Sequence, residues 1–163
     1  MQSVTPLAPI CDPDCRILIL GSHPSVISKE MGFYYANPHN RFWRVMSTLL
    51  GEDLTVMDSS GKTEALLRHH VALSDVVGSC TLVGSQDATI RDVIPTDVRA
   101  LLATAPIERI FLNGKTAYRY FAKWFEDLLP MVTVLPSTSP ANAQWSMDAL
   151  LAAWSEAIAF SAK

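Results

Sequence analysis

The chain is short of cysteine, of positive charge and of long apolar runs. Three cysteines stand among 163 residues, Cys11, Cys15 and Cys80. An odd count without a secretory leader pattern argues against a disulfide framework. Three thiols are also too few for a four-thiolate iron–sulfur cluster. Cys11 and Cys15 have a possible ligand spacing but no second ligand pair nearby, so free thiols are expected. With no dense cluster of ligand residues, no metal and no cofactor are expected. No apolar run reaches the ~20 residues of a membrane span, and a cytoplasmic protein is expected. Lys and Arg number 13 against 16 Asp and Glu, a net charge of −3. That balance argues against a long phosphate-tracking groove, although a short nucleic-acid footprint needs only a few local cations.

What is present is an ordinary globular composition, 49% hydrophobic and 18% charged. Length and the absence of repeats or low-complexity tracts predict one domain over 1–163. Residues 1–15, proline-bearing and aperiodic, read as a surface arm. "RILILG" (Arg16 to Gly21) is a short apolar run closed by glycine and reads as a buried strand. "VALSDVV" (Val71 to Val77), "IERIFLNG" and "MVTVLP" repeat that character. Between them, "NRFWRVMSTLLG", "KTEALLRHH", "TDVRALLATAP" and "KTAYRYFAKWFEDLL" carry helical spacing, as does the C-terminal segment with Met147, Leu150, Leu151, Trp154 and Ile158. Residues 78–95 read as a long connection. Strands alternating with helices predict a mostly parallel sheet covered on both faces. Ligands of such sheets bind beyond the carboxyl ends of the strands. Three loops end there: "GSHPS" (Gly21 to Ser25), "NGK" and "LPSTSPAN".

A fourth segment, "GFYYANPHNRFW", is the most unusual in the chain. Phe42 and Trp43 open an amphipathic helix and read as core. Tyr34 and Tyr35 precede it, where a flat ring can serve as a stacking platform. Asn37 and Asn40 each donate and accept, and Asn40 is equally suited to capping the helix that follows. In "GSHPS", His23 is either a pocket residue or a turn histidine bonded to backbone. In "LPSTSPAN", Ser139 or Asn142 fits an ordinary helix cap. Asp75 and Asp87 are possible base or water contacts, with a structural role favoured for each.

"GSHPS", "GFYYANPHNRFW", "LNGKTA" and "LPSTSPANA" together resemble the uracil-DNA glycosylase superfamily. Within it the chain is similar to the mismatch-specific uracil/thymine enzymes, and more so to the hypoxanthine-DNA (deoxyinosine) glycosylase branch. "LSDVVGSC" and "GSQDATIRD" support that branch, and the resemblance runs from about Arg16 to Ala143. It implies a three-layer α/β/α sandwich with a short, mostly parallel sheet of about four strands. It also implies an enzyme that flips a deaminated base from DNA and hydrolyses its N-glycosidic bond. Tyr35 then falls where the family stacks an aromatic on the base, and Asn40 where this branch places a catalytic asparagine. "LPSTSPAN" becomes the loop that probes the minor groove. Its wedge position is near Ala141, smaller than in the mismatch-specific relatives. His23 stands where those relatives carry asparagine, so the first loop supplies no carboxylate base.

The resulting expectation is that Asn40 positions water while His23, Ser22 and first-loop amides bond the base, with Asn113 a second contact to the base edge. Ser25, Ser137, Ser139 and Asn142 are expected at DNA phosphates, and Lys29, Lys115, Arg41 and Arg44 around a modest positive rim. The partner is DNA with a damaged or mismatched base. No membrane is involved, and the protein is expected to act as a monomer. A uracil or thymine mismatch enzyme and a non-catalytic nucleic-acid-binding module are the alternatives.

Overall fold

The computed structural model describes residues 2–4, 6–83 and 89–162. Four strands form the central sheet: β2 (Ile17–Gly21), β3 (Val71–Asp75), β6 (Arg109–Asn113) and β7 (Val132–Leu135). All three pairings are parallel, in the order β3-β2-β6-β7. These are the four runs predicted from apolar content. All five residues of β2 are buried, as a strand covered on both faces must be. Its side chains alternate between two cores. Ile17 and Ile19 join Phe42, Met46 and Trp154 under α2 (Phe42–Leu50) and α6 (Met147–Ser161). Leu18 and Leu20 join Val98, Leu101 and Phe121 under α4 (Val98–Thr104) and α5 (Lys115–Trp124). The result is a three-layer α/β/α sandwich. Two further α-helices, α1 (Val26–Met31) and α3 (Ser59–Arg68), complete the set among the described residues. None of the described helices is long and apolar enough to cross a membrane.

Two segments differ from their sequence reading. Residues 78–95 are not a plain connection. Strands β4 (Val77–Val83) and β5 (Thr89–Pro95) pair antiparallel there. The Gly, Ser, Thr and Asp content of this stretch hid the strands, because it imitates a loop composition. Asp87, a possible base or water contact, lies outside the described residues. Residues 1–15, read as a surface arm, are tied into the fold. Strand β1 (Gln2–Val4) pairs with β4, Ile10 bridges to Leu73 on the edge of the main sheet, and Cys15 is buried. Among the described residues all three cysteines are free thiols. Burial pushes the Cys15 thiol up to about 12, so it stays protonated.

Candidate active site

The carboxyl ends of β2, β3 and β6 open into a cavity of about 260 Å³. That is the space of about nine liquid waters, the order of size of a nucleobase. The first loop, the aromatic segment and the loop after β7 all reach it, so the sheet brings together what the sequence scatters.

The two tyrosines both border the cavity but make different contacts. Tyr34 is core, 3% exposed, and its hydroxyl donates to the Leu7 and Ala8 carbonyls at 3.3 and 3.0 Å. Tyr35 takes a left-handed backbone, φ 51°, which turns the chain at that point. Its ring stacks on Phe42 at 4.1 Å between centroids and 17° between planes, and it lines the cavity. Phe42 in turn meets Trp154 edge to face at 5.8 Å. The platform is therefore backed by core rings. Burial keeps the Tyr35 phenol protonated.

Asn40, Asn113 and Thr138 form one hydrogen-bonded set beside that ring. The Phe42 amide donates to Asn40 Oδ1 (2.9 Å), and so does the Thr138 hydroxyl (2.8 Å). Asn113 Nδ2 donates to the Tyr35 hydroxyl and to Thr138 Oγ1, both at 3.0 Å, while Asn113 Oδ1 accepts from the Thr138 amide at 3.0 Å. Both ends of the Asn113 amide are thus engaged inside the protein. Asn40 lines the cavity with its oxygen occupied, leaving Nδ2 as the end available to a ligand.

Asp75 also lines the cavity, 7% exposed. Register places it opposite Gly21, at the ends of β3 and β2. Burial pushes its carboxyl up to about 7. Gly21 is required there by close approach. A Cβ on it would stand 2.5 Å from Asp75 Oδ1 and 2.8 Å from the Tyr35 hydroxyl. Gly21→Ala is expected to displace both groups and to cost about 1–3 kcal/mol of stability. The thermal unfolding midpoint should fall, and an unchanged midpoint would contradict the crowding.

His23 lines the cavity and the wider groove beside it. Its Nδ1 lies 3.1 Å from the Pro24 carbonyl and donates to it, which leaves Nε2 as the ring nitrogen outside that bond. Ser22, Ser137 and Ser139 line both spaces, while Ser25 lines the cavity and caps α1 by accepting from the Ser28 amide at 3.0 Å. Lys115, Ala141 and Asn142 line only the groove, of about 760 Å³, together with Gln144 and the partly exposed Trp145. Lys29 sits on α1 and lines neither space. Arg44 is exposed on α2. Arg41 is less a rim cation than a strap: its guanidinium donates to the Trp145 carbonyl (2.6 Å) and the Asn142 carbonyl (3.2 Å).

The family model of the uracil DNA glycosylase superfamily matches residues 8–158. The chain belongs to that superfamily. It is an enzyme of the DNA glycosylase class, and the cavity is its candidate active site. A protein of Methanosarcina barkeri named hypoxanthine DNA glycosylase is 32% identical over 154 residues, covering 91% of this chain and 94% of that one. Another of that name from Methanosarcina acetivorans is 37% identical over 144 residues, covering 85% and 88%. A solution NMR structure from M. acetivorans, of a candidate uracil DNA glycosylase, superposes with a TM-score of 0.85 at 32% identity. It covers 99% of this chain and 100% of that one.

Asp75 and Thr138 are the two residues that sequence reasoning underweighted. Asp75 was legible as a lone acid at the end of an apolar strand, a position that faces ligand in parallel sheets. Thr138 gave no signal, because a hydroxyl in a serine-rich loop looks like any cap.

Proposed function

We propose that the chain excises hypoxanthine from DNA by hydrolysing its N-glycosidic bond and leaving an abasic site. The observation that carries this reading is one cavity walled by a core-backed aromatic face, an amide donor and a buried carboxyl. The names of the two Methanosarcina relatives support the choice of base.

A flipped purine stacks on Tyr35, a contact worth about 1–3 kcal/mol. The neutral Asp75 carboxyl meets the lactam edge that deamination creates. Its carbonyl oxygen accepts N1–H and its O–H donates to O6. As the C1′–N9 bond breaks, its electron pair passes to the purine, and the hydrogen bond at O6 stabilises that negative charge. Asn40 Nδ2 donates to one lone pair of a water that attacks C1′ with another. The hydroxyl stays on C1′ and the water's proton ends on the departing purine. His23, which lines the same cavity, relays that proton in this reading.

Ser25, Ser137, Ser139 and Asn142 hold flanking phosphates, with Lys115 in the groove. The small Ala141 fits weak insertion into the duplex and a modest dependence on the opposite base.

Among the described residues no lysine lines the base cavity, so hydrolysis rather than a Schiff base follows. Borohydride should trap no protein–DNA adduct, and a trapped adduct would overturn the hydrolytic route.

The function itself is tested on a panel of duplexes, each with one hypoxanthine, uracil, thymine mismatch or xanthine, treated with alkali after incubation. The fastest alkali-dependent cleavage is expected at hypoxanthine. Cleavage only at uracil or thymine would shift the substrate to the mismatch enzymes. Lesion-dependent binding with no cleavage at any duplex would leave a binding module.

A further inference from the structure

We infer that Thr138 is a positioning residue: it aims the Asn40 amide and joins it mechanically to the loop that meets DNA.

Proton directions in the network are fixed by backbone groups. The Phe42 amide can only donate, so the Asn40 atom it meets is Oδ1. The Thr138 amide can only donate, so the Asn113 atom it meets is Oδ1, and Asn113 Nδ2 must face Thr138 Oγ1. Thr138 Oγ1 therefore accepts from Asn113 and spends its single proton on Asn40 Oδ1. With both donors in place, the Asn40 amide cannot flip without leaving two buried donors unmet, a cost of about one unsatisfied group each. Thr138 itself is 0% exposed, and its hydroxyl finds both of its partners inside the protein.

The same residue begins the strap between the two segments. Its carbonyl accepts from the Arg41 amide at 3.1 Å, and the Arg41 guanidinium holds the carbonyls of Asn142 and Trp145 farther along the loop. Asn40 and Arg41 are thus fastened to residues 138–145 at both ends of that stretch. A shift of this loop on the DNA reaches Asn40 through the Thr138 hydroxyl, and reaches Tyr35 only through Asn113.

The inference rests on the proposed excision of hypoxanthine. Single-turnover rates and KM on a deoxyinosine duplex test it. Thr138→Val keeps the shape and removes the hydroxyl. It should lower the rate about ten- to a hundredfold with KM little changed, because misaligned catalytic groups lose rate rather than binding. Thr138→Ser should restore the rate to within about threefold, since it keeps the hydroxyl. If the valine variant does not fold, Thr138→Ala must show the same fall in rate at unchanged KM. Wild-type rates in the valine or alanine variant would overturn the inference. So would a folded serine variant as slow as the valine one, which would trace the effect to the methyl group. A wild-type protein inactive on every lesion duplex overturns the functional reading and this inference with it, whereas an active wild type with an indifferent Thr138 overturns the inference alone.

Discussion

Asn40→Ala should slow hypoxanthine release in single turnover by about a hundredfold, the order lost when an attacking group is no longer held in line. Asn40→Asp should be as slow. That second outcome separates two roles that the sequence leaves together. If Asn40 acted by accepting a proton from water, a carboxylate would do so better and the aspartate variant would be fast. The structure commits Oδ1 to the Phe42 amide and the Thr138 hydroxyl, so the working end is the N–H, which aspartate lacks. Folding should be little affected by the aspartate, because one carboxylate oxygen can still accept both bonds. Quench-flow rates on a deoxyinosine duplex, with thermal unfolding as control, decide the matter. A fast aspartate variant would show that Asn40 works as an acceptor.

Asp75 gives the second large effect, and it depends on pH. The carboxyl is pushed up to about 7 by burial, and the proposed contact uses its neutral form. The wild-type rate should be level below pH 7 and fall about tenfold per unit above it. Asp75→Asn presents an N–H and a carbonyl to the same lactam edge. It should stay within roughly tenfold of wild type at pH 6 and lose the alkaline fall. Asp75→Ala should lose about a hundredfold at either pH, since it leaves the base edge unpaired. If the asparagine variant is as slow as the alanine one at pH 6, Asp75 acts as an ionised base and the hydrogen-bonding role is wrong.

The same shift bears on stability. The folded value lies above the unfolded value of about 3.9, so the folded state holds the extra proton. The contribution is full below pH ~4 and is lost as pH rises through about 7. Asp75→Asn should therefore melt higher than wild type at pH 8.

Much of this site was legible before any coordinates. The four strands of the main sheet were visible as apolar runs, three of them ended by glycine or proline, since burial on both faces leaves little room for polar residues. That pattern located the loops after Gly21, Asn113 and Leu135 at one end of the sheet. The aromatic segment was legible as unusual, but the residues alone did not divide Tyr34 from Tyr35, which only the resemblance singled out. Tyr34 bonds the Leu7 and Ala8 carbonyls while Tyr35 stacks on Phe42 and bonds Asn113, contacts that no local pattern displays. The β4–β5 pair was hidden by its composition. The weight of Asp75 depends on a register, Gly21 opposite Asp75, and register is a long-range property that a single sequence does not display. Thr138 and Arg41 act through contacts about a hundred residues apart, Thr138 Oγ1 to Asn40 and Arg41 to Trp145 among them. Neither residue type carries a local sign of such work.

The most direct measurement is a crystal structure of the Asn40→Ala variant on a duplex containing a single deoxyinosine. The account predicts the purine outside the helix, one face on the Tyr35 ring and its N1–O6 edge on Asp75. A base still stacked in the duplex, or one flipped into a different pocket with Asp75 and Tyr35 untouched, would contradict it.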